Sequence, residues 1–248
     1  MDKKLENDLL DQFHKKGFDV GQMNEAFDGL ESNLSIDQIN VYADIRYNSQ
    51  QIKEIKLGFQ HNLSMEQVLI YANPKIDYKD MRQIRKDFED GWDIDKIKIY
   101  ANPVYTWRQR GEIRECIEKE NLSEEQMSVI CNPQYDWDQI KKLREGFCDG
   151  LSEEQMKILA NPELDSEQMY HVLVGFDNNL SIDQVKLYAD PKYIPPQMRE
   201  IRMGFENGLS QEQVESYADP EINWWDMRDI RKQYEKESRK SFKKWINT

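Results

Sequence analysis

The chain has 248 residues, 33% of them charged, a net charge of −13 and a mean hydropathy of −0.89. No apolar run approaches the ~18 residues a membrane helix needs. The acidic balance disfavours sequence-independent nucleic-acid binding, which draws its affinity from phosphate neutralisation. Cys116, Cys131 and Cys148 have neither metal nor redox spacing, and an odd count argues against a disulfide framework.

The first ten residues, MDKKLENDLL, lack the apolar core of a signal peptide, so a cytoplasmic, reducing compartment is expected. Residues 2–16 read as one helix. Residues 22–33 (QMNEAFDGLESN) match the second half of the pattern that follows, so residues 1–33 are expected to form an N-terminal helical cap.

From Leu34 one phrase recurs: L-S-x-E/D-Q-h-x-h-Y-A-D/N-P, then Q-h-x-x-I-R-x-G-F-x-x-G/N, where h is apolar. Its copies begin at Leu34, Leu63, Trp92, Leu122, Leu151, Leu180 and Leu209, a period of 29 with one step of 30 before Leu122. A fixed period of this size marks a stacked repeat array, in which each unit contacts mainly its neighbours. The expected fold is all-α, a right-handed α-solenoid of seven two-helix repeats over residues 34–237, capped at both ends.

Each copy encodes two helix starts. Ser35, Ser64, Ser123, Ser152, Ser181 and Ser210 are each followed three residues later by Gln, the spacing of a capping box. The short helix that follows must stop at Asn/Asp-Pro, as at Asn73-Pro74. Asn48, Asp77, Thr106, Asp136, Asp165 and Asn223 are N-caps for the second helix, with Gln51, Asp80, Gln109, Gln139, Gln168 and Asp226 placed to close a box. Copy six uses Ile194-Pro195-Pro196 instead. Asn62, Gly91, Asn121, Gly150, Asn179 and Gly208 supply left-handed ends.

Within the second helix, Met81, Ile84 and Phe88 exemplify an apolar i, i+3, i+7 stripe. Gly58, Gly146, Gly175 and Gly204 lie beside it. Because a mid-helix glycine costs roughly 1 kcal/mol against alanine, they predict close approach of another backbone, with the Ala of Tyr-Ala as neighbour. A basic residue recurs at Lys56, Arg85, Arg114, Arg144, Arg202 and Arg231, replaced by Leu173 in copy five. A partly buried cation needs a partner, so a structural ladder is expected, each head group bonding the Asp/Asn before Pro or a helix-end carbonyl. A row of anion-binding arginines is the functional alternative. The third copy departs most, with Trp92-Asp93 for Leu-Ser, Arg110 for Met and Cys116 for Gly; such an irregularity marks either function or drift. Residues 238–248 are expected to be the basic end of a C-terminal capping helix running from Trp224 to about Trp245.

No catalytic or metal-binding constellation is present. His14, His61 and His171 lie in different units without ligand spacing, and no phosphate loop, dinucleotide fingerprint, zinc or EF-hand pattern occurs. No enzyme activity and no cofactor are therefore expected. The candidate binding pattern is an aromatic at the start of the second helix with a basic residue four later: Tyr78/Arg82, Trp137/Lys141 and Trp224/Arg228. Trp107 lies between Tyr105 and the pair Arg108 and Arg110, while Arg199 follows Pro195. Such pairs share a helix face and suit cation–π contact. They form either a linear strip for an extended ligand or seals between consecutive repeats.

The phrases YANPKIDYKDMRQIRKDFEDG and YADPKYIPPQMREIRMGFENGLSQEQV resemble tandem repeats of uncharacterised bacterial proteins, especially of gut Firmicutes and their phages and mobile elements. The resemblance covers about residues 18–237. It implies no activity and no site residues, only a mobile-element setting in which host interaction or anti-defence is expected. Leu122 to Asn179 carry twelve acidic and four basic residues, which favours a basic partner or simply solubility. The expected function is a non-enzymatic scaffold for a protein or peptide. Nucleic-acid binding along the aromatic/basic strip is the alternative, and an acidic decoy for a nucleic-acid site is a variant of the first.

Overall fold

A computed structural model describes residues 3–119 and 122–246, with side chains over 8–119 and 122–239. All regular structure among them is helical, in sixteen helices. The chain divides into two compact units, Met1–Glu118 and Lys119–Thr248.

The first unit holds α1 (Lys3–Lys15), α2 (Val20–Glu31), α3 (Ile36–Tyr42), α4 (Ser49–Gln60), α5 (Met65–Tyr71), α6 (Tyr78–Glu89), α7 (Ile94–Tyr100) and α8 (Trp107–Lys119). The second holds α9 (Glu124–Ile130), α10 (Trp137–Cys148), α11 (Glu153–Leu159), α12 (Ser166–Asp177), α13 (Ile182–Tyr188), α14 (Pro195–Glu206), α15 (Gln211–Glu215) and α16 (Trp224–Ile246). From α2 onward long and short helices alternate, as the double helix-start signal predicts. In the first unit α4 packs between α2 and α6; in the second, α10, α12, α14 and α16 pack in series, each short helix lying against a long one. Fully buried Ile52, Ile55, Met81 and Ile84 form the core of the first series, and Ile140, Met169, Val172, Met198 and Ile201 that of the second.

The cap chemistry determines the helix limits. All six Ser-x-x-Gln boxes close, and Asn33, Asn62, Gly91, Gly150, Asn179 and Gly208 have positive φ; Asn121 lies outside the described residues. Helix α2 starts two residues earlier than expected, because Asp19 and Gln22 form a box of their own. Asp80 and Asp226 do not close boxes: Asp77 caps Lys79 N and Asn223 caps Trp225 N instead.

Stacking depends on one side chain used twice. The Oε1 of Gln22, Gln51, Gln139, Gln168 and Gln197 accepts from the N-cap backbone N–H of its own helix. The Nε2 of the same residue donates to two carbonyls of the next copy's loop: Ile45 and Tyr47 for Gln22, Pro74 and Ile76 for Gln51. In the second unit the acceptors are Pro162 and Leu164 for Gln139, Pro191 and Tyr193 for Gln168, and Pro220 and Ile222 for Gln197. The loop tyrosines add a further link, since the Tyr47, Tyr135 and Tyr193 hydroxyls donate to the carbonyls of Ala72, Ala160 and Ala218.

The glycines serve a different contact from the one their spacing suggests. A Cβ on Gly29, Gly58, Gly175 or Gly204 would overlap the hydroxyl of Tyr42, Tyr71, Tyr188 or Tyr217, not the neighbouring alanine. Three of those hydroxyls donate to a long-helix carbonyl, those of Glu54, His171 and Glu200, so the glycine clears space for a phenol that ties the short helix down. Gly204→Ala is therefore expected to destabilise by about 1–2 kcal/mol, overpacking outweighing alanine's helix preference. In a Tyr217→Phe background, denaturant melts should show a smaller cost; an equal cost in both backgrounds would mean the hydroxyl does not occupy that space.

Candidate functional site

At four of the expected ladder positions, Lys56, Arg85, Arg114 and Arg231, the cation is bonded to an acid of the preceding long helix, not to the Asp/Asn before Pro. Lys56 pairs with Glu25 at 2.6 Å and with Asp28. Arg85 pairs with Glu54 at 3.0 Å and, one turn along its own helix, with Glu89. Arg231 repeats the arrangement with Glu200 at 2.9 Å and with Glu235. Glu54 and Glu200 are only 1% and 3% exposed, so these are buried ion pairs, and removing one partner strands a charge. Helix stacking brings an acid beside the cation 31 residues later (25/56, 54/85, 200/231), whereas the Asp/Asn before Pro lies at the other end of the helix pair.

The third copy uses the same logic with altered residues. Asp87 occupies the glycine position of the second copy and is fully buried. Its carboxylate accepts from the Tyr100 hydroxyl at 2.5 Å, from Arg114 Nε and Nη2 at 2.7 Å each and from Gln83 at 3.0 Å. The Trp92 ring lies under the Arg114 guanidinium at 4.7 Å. Burial raises the Tyr100 phenol's pKa, and the carboxylate beside it raises it further. The hydrogen bonds Arg114 donates to Asp87 are the main reason the guanidinium's pKa is raised too.

Arg110 replaces a missing glutamine. Asp80 stands where other copies have the bridging Gln and has no N–H to offer. Arg110 reaches it at 2.5 Å and donates to the Tyr105 carbonyl at 2.5 Å, the loop position that Gln51 serves at Ile76 in the preceding copy. Arg110 and Tyr105, both expected in an exposed binding cluster, are instead buried joint residues. The third copy's irregularities at Trp92 and Arg110 are thus internal compensations.

The other sequence-derived candidates divide by exposure. In the first unit, Trp107 is 63% exposed with Arg108 over its ring at 5.1 Å. Tyr78 lies beneath Arg82 at 5.8 Å, but Arg82 Nε is bonded to Glu54 at 2.8 Å. In the second unit, Trp224 stacks on Trp225 at 3.5 Å, with Arg228 5.8 Å from both rings. Trp137 and Lys141 are half-buried and Arg199 is exposed. Lys142 sits 5.6 Å from the Tyr170 ring, a pair that links α10 to α12. Phe242 and Trp245 lie outside the residues whose side chains are described.

An apolar cleft of about 370 Å³ opens in the second unit between α9 and α11, over the end of α10. Val129, Phe147, Leu151, Met156 and Ala160 line it, with Glu125, Gln126, Glu153 and Lys157 at its polar side. The fourth and fifth copies have Ile130 and Leu159 where others have the short-helix tyrosine, so neither carries a phenol there to tie the short helix to the long one. Glu125 and Glu153 at this cleft are exposed, as are Glu124 and Glu154 in the same first turns of α9 and α11. A hydrogen bond from the Ser123 hydroxyl lowers the Glu125 carboxyl's pKa, and Lys157 does the same for Glu153. Sequence spacing carries no sign of the cleft, because each of its lining residues is an ordinary apolar choice for its position.

Among the described residues no group of three or more His, Cys, Asp or Glu is arranged to hold a metal ion, and no helix is long and apolar enough to cross a membrane. No protein-family model matches the chain, and neither a curated protein nor a solved structure does.

Two outcomes follow from these joints. Arg110→Met is expected to cost about 3 kcal/mol by stranding the Asp80 carboxylate and the Tyr105 carbonyl. Adding Asp80→Gln should recover most of that loss in thermal melts, and failure of the double variant to recover would exclude the swap. Burial, then Arg202 and Arg199, lowers the His171 pKa to about 4 from an ordinary 6.5. The unfolded chain therefore takes up this proton first as pH falls, and the stability conferred by the neutral ring is lost between about pH 6.5 and 4. Melting temperatures across that window should fall less for His171→Gln than for the parent.

Proposed function

We propose that the chain is a non-enzymatic binding scaffold, a right-handed α-solenoid of seven helix pairs, that takes a basic peptide segment with an apolar anchor side chain. The observation that carries the proposal is the α9–α11 cleft: five apolar side chains recessed beside the exposed Glu125 and Glu153. Concave apolar sites with a few directing polar groups are the usual form of ligand sites, and an acidic rim attracts and orients a cationic partner. The recurrent glutamine bridge supports the solenoid assignment, because within each unit Gln22, Gln51, Gln139, Gln168 and Gln197 link one helix pair to the next by the same two bonds. A cytoplasmic setting and a role in host interaction or anti-defence rest on the sequence resemblance alone.

Nucleic-acid binding is the second reading, favoured by the exposed Trp107/Arg108 pair and by the exposed Trp225 beside half-buried Trp224 and Arg228, since aromatic faces beside cations suit stacked bases. Against it, Arg82 is already bonded to Glu54 and Arg110 to Asp80.

The test is fluorescence anisotropy on the full chain with lysine-rich peptides carrying one central Trp or Leu. Binding should weaken with salt, drop at least tenfold when the anchor becomes Ala, and be lost in the Glu124, Glu125, Glu153, Glu154 to Lys variant. Equal binding of anchorless peptides would eliminate the cleft. Tighter, salt-sensitive retention of a single-stranded oligonucleotide would replace this function with the second reading.

A further inference from the structure

The ion-pair ladder is built from matched pairs, and in the second unit it departs from that rule twice. At the first departure the acid position is Lys142, and the cation expected opposite it in the next copy is Leu173. Acid and cation have both been replaced there, Lys142 turns to Glu145 at 2.6 Å, and no charge is left over. At the second, the acid position is His171 while the cations opposite are kept, as Arg199 and Arg202.

The counterparts show what those cations are arranged to hold. Arg82 and Arg85, at the positions of Arg199 and Arg202, grip the Glu54 carboxylate from two sides: Arg82 Nε on Oε1 at 2.8 Å, Arg85 Nε on Oε2 at 3.1 Å. Arg231 grips Glu200 through Nε at 2.9 Å. Arg202 keeps the other half of this pattern, since its Nη1 bonds Glu206 as Arg85 bonds Glu89. Among the described residues its Nε is buried without a partner, and so is the Nδ1 of His171; both residues are more than nine-tenths buried. Arg199 is exposed and, among the described residues, has no hydrogen-bond or ion-pair acceptor.

We propose that Arg199 and Arg202, with His171 beside them, bind a carboxylate supplied from outside the chain, in the rung that Glu54 and Glu200 fill elsewhere in the molecule. Guanidinium edges take carboxylates through short, charge-assisted, often bidentate bonds, and a buried guanidinium edge without an acceptor is costly. Arg199 provides the solvent-facing entry. Binding moves Arg202 Nε and the imidazole toward the anion, and the imidazole gains basicity as the two positive charges beside it are neutralised. The charged and titratable groups around the ring are Arg199 and Arg202 of α14, Asp165 at the start of α12 and the Tyr188 phenol of α13, which donates to the His171 carbonyl. Lys142 of α10 lies over the neighbouring Tyr170 ring.

The chain's three histidines make the site directly readable by NMR, with His14 and His61 as internal references. Acetate, titrated at constant ionic strength against chloride, should shift the His171 ring signals saturably and raise that residue's pKa. Arg199→Gln should weaken the effect at least threefold. His171→Glu, which installs the carboxylate within the chain, should abolish it and raise the melting temperature. A Gly-Glu-Gly peptide with both ends blocked, compared with acetate and with its Gly-Gln-Gly counterpart, separates the two sources: at least tenfold preference for the Glu peptide over acetate identifies a partner's side chain, and parity identifies a free carboxylate. Shifts that do not saturate, that match those of His14, or that persist unchanged in Arg199→Gln would overturn the site. Saturation by phosphate but not by acetate would overturn its assignment to carboxylates.

Discussion

One amide group sets the geometry on which the rest depends. The Oε1 of each bridging glutamine ends the unpaired state of its own helix's first N–H, and its Nε2 does the same for two carbonyls of the neighbouring loop. A free helix start and an irregular loop are the two places where backbone groups lack partners, and a single side chain satisfies both. The bond that defines where one helix begins also determines where the next pair docks. Local structure and stacking are therefore coupled, and a loss at this position is felt on two levels at once.

Polar groups that enter the interior of either unit need partners from adjacent helices. Glu54, Asp87 and Glu200 are buried there, each held by an arginine from the next long helix. Such pairs add little net stability but penalise wrong neighbours strongly, since a shifted register would leave charges unpaired. Where the sequence drifts, the partner drifts with it: Asp80 with Arg110, Lys142 with Leu173. His171 is the exception that keeps its cations and loses its acid, which makes it chemically informative.

Much of this was legible in the chain itself. Serine and asparagine caps, proline stops and glycine or asparagine ends are local chemistry, acting within four residues, and they appear where the spacing puts them. The function of the glycines was half legible: smallness was evident, but the tyrosine hydroxyl above them was not, because alanine and tyrosine are adjacent in sequence and only packing selects between them. The basic ladder was visible as a row, and its acid partners across the stack were not, since those lie 27 to 31 residues away on another helix. Arg110 and Tyr105 looked like a surface cluster because charge and aromaticity are weak guides to exposure where a neighbouring helix covers them.

The sequence by itself determined the helices, their ends and their alternation, because those follow from hydrogen bonds between near neighbours. Only the tertiary structure decided which polar residues are spent on joints and which face solvent. It also placed five unremarkable apolar residues around one cleft, beside glutamates from two helices, and left two arginines facing a histidine. The physical reason is distance: a charge's partner or a cleft's wall comes from a different helix, and residue spacing along one helix carries no information about it.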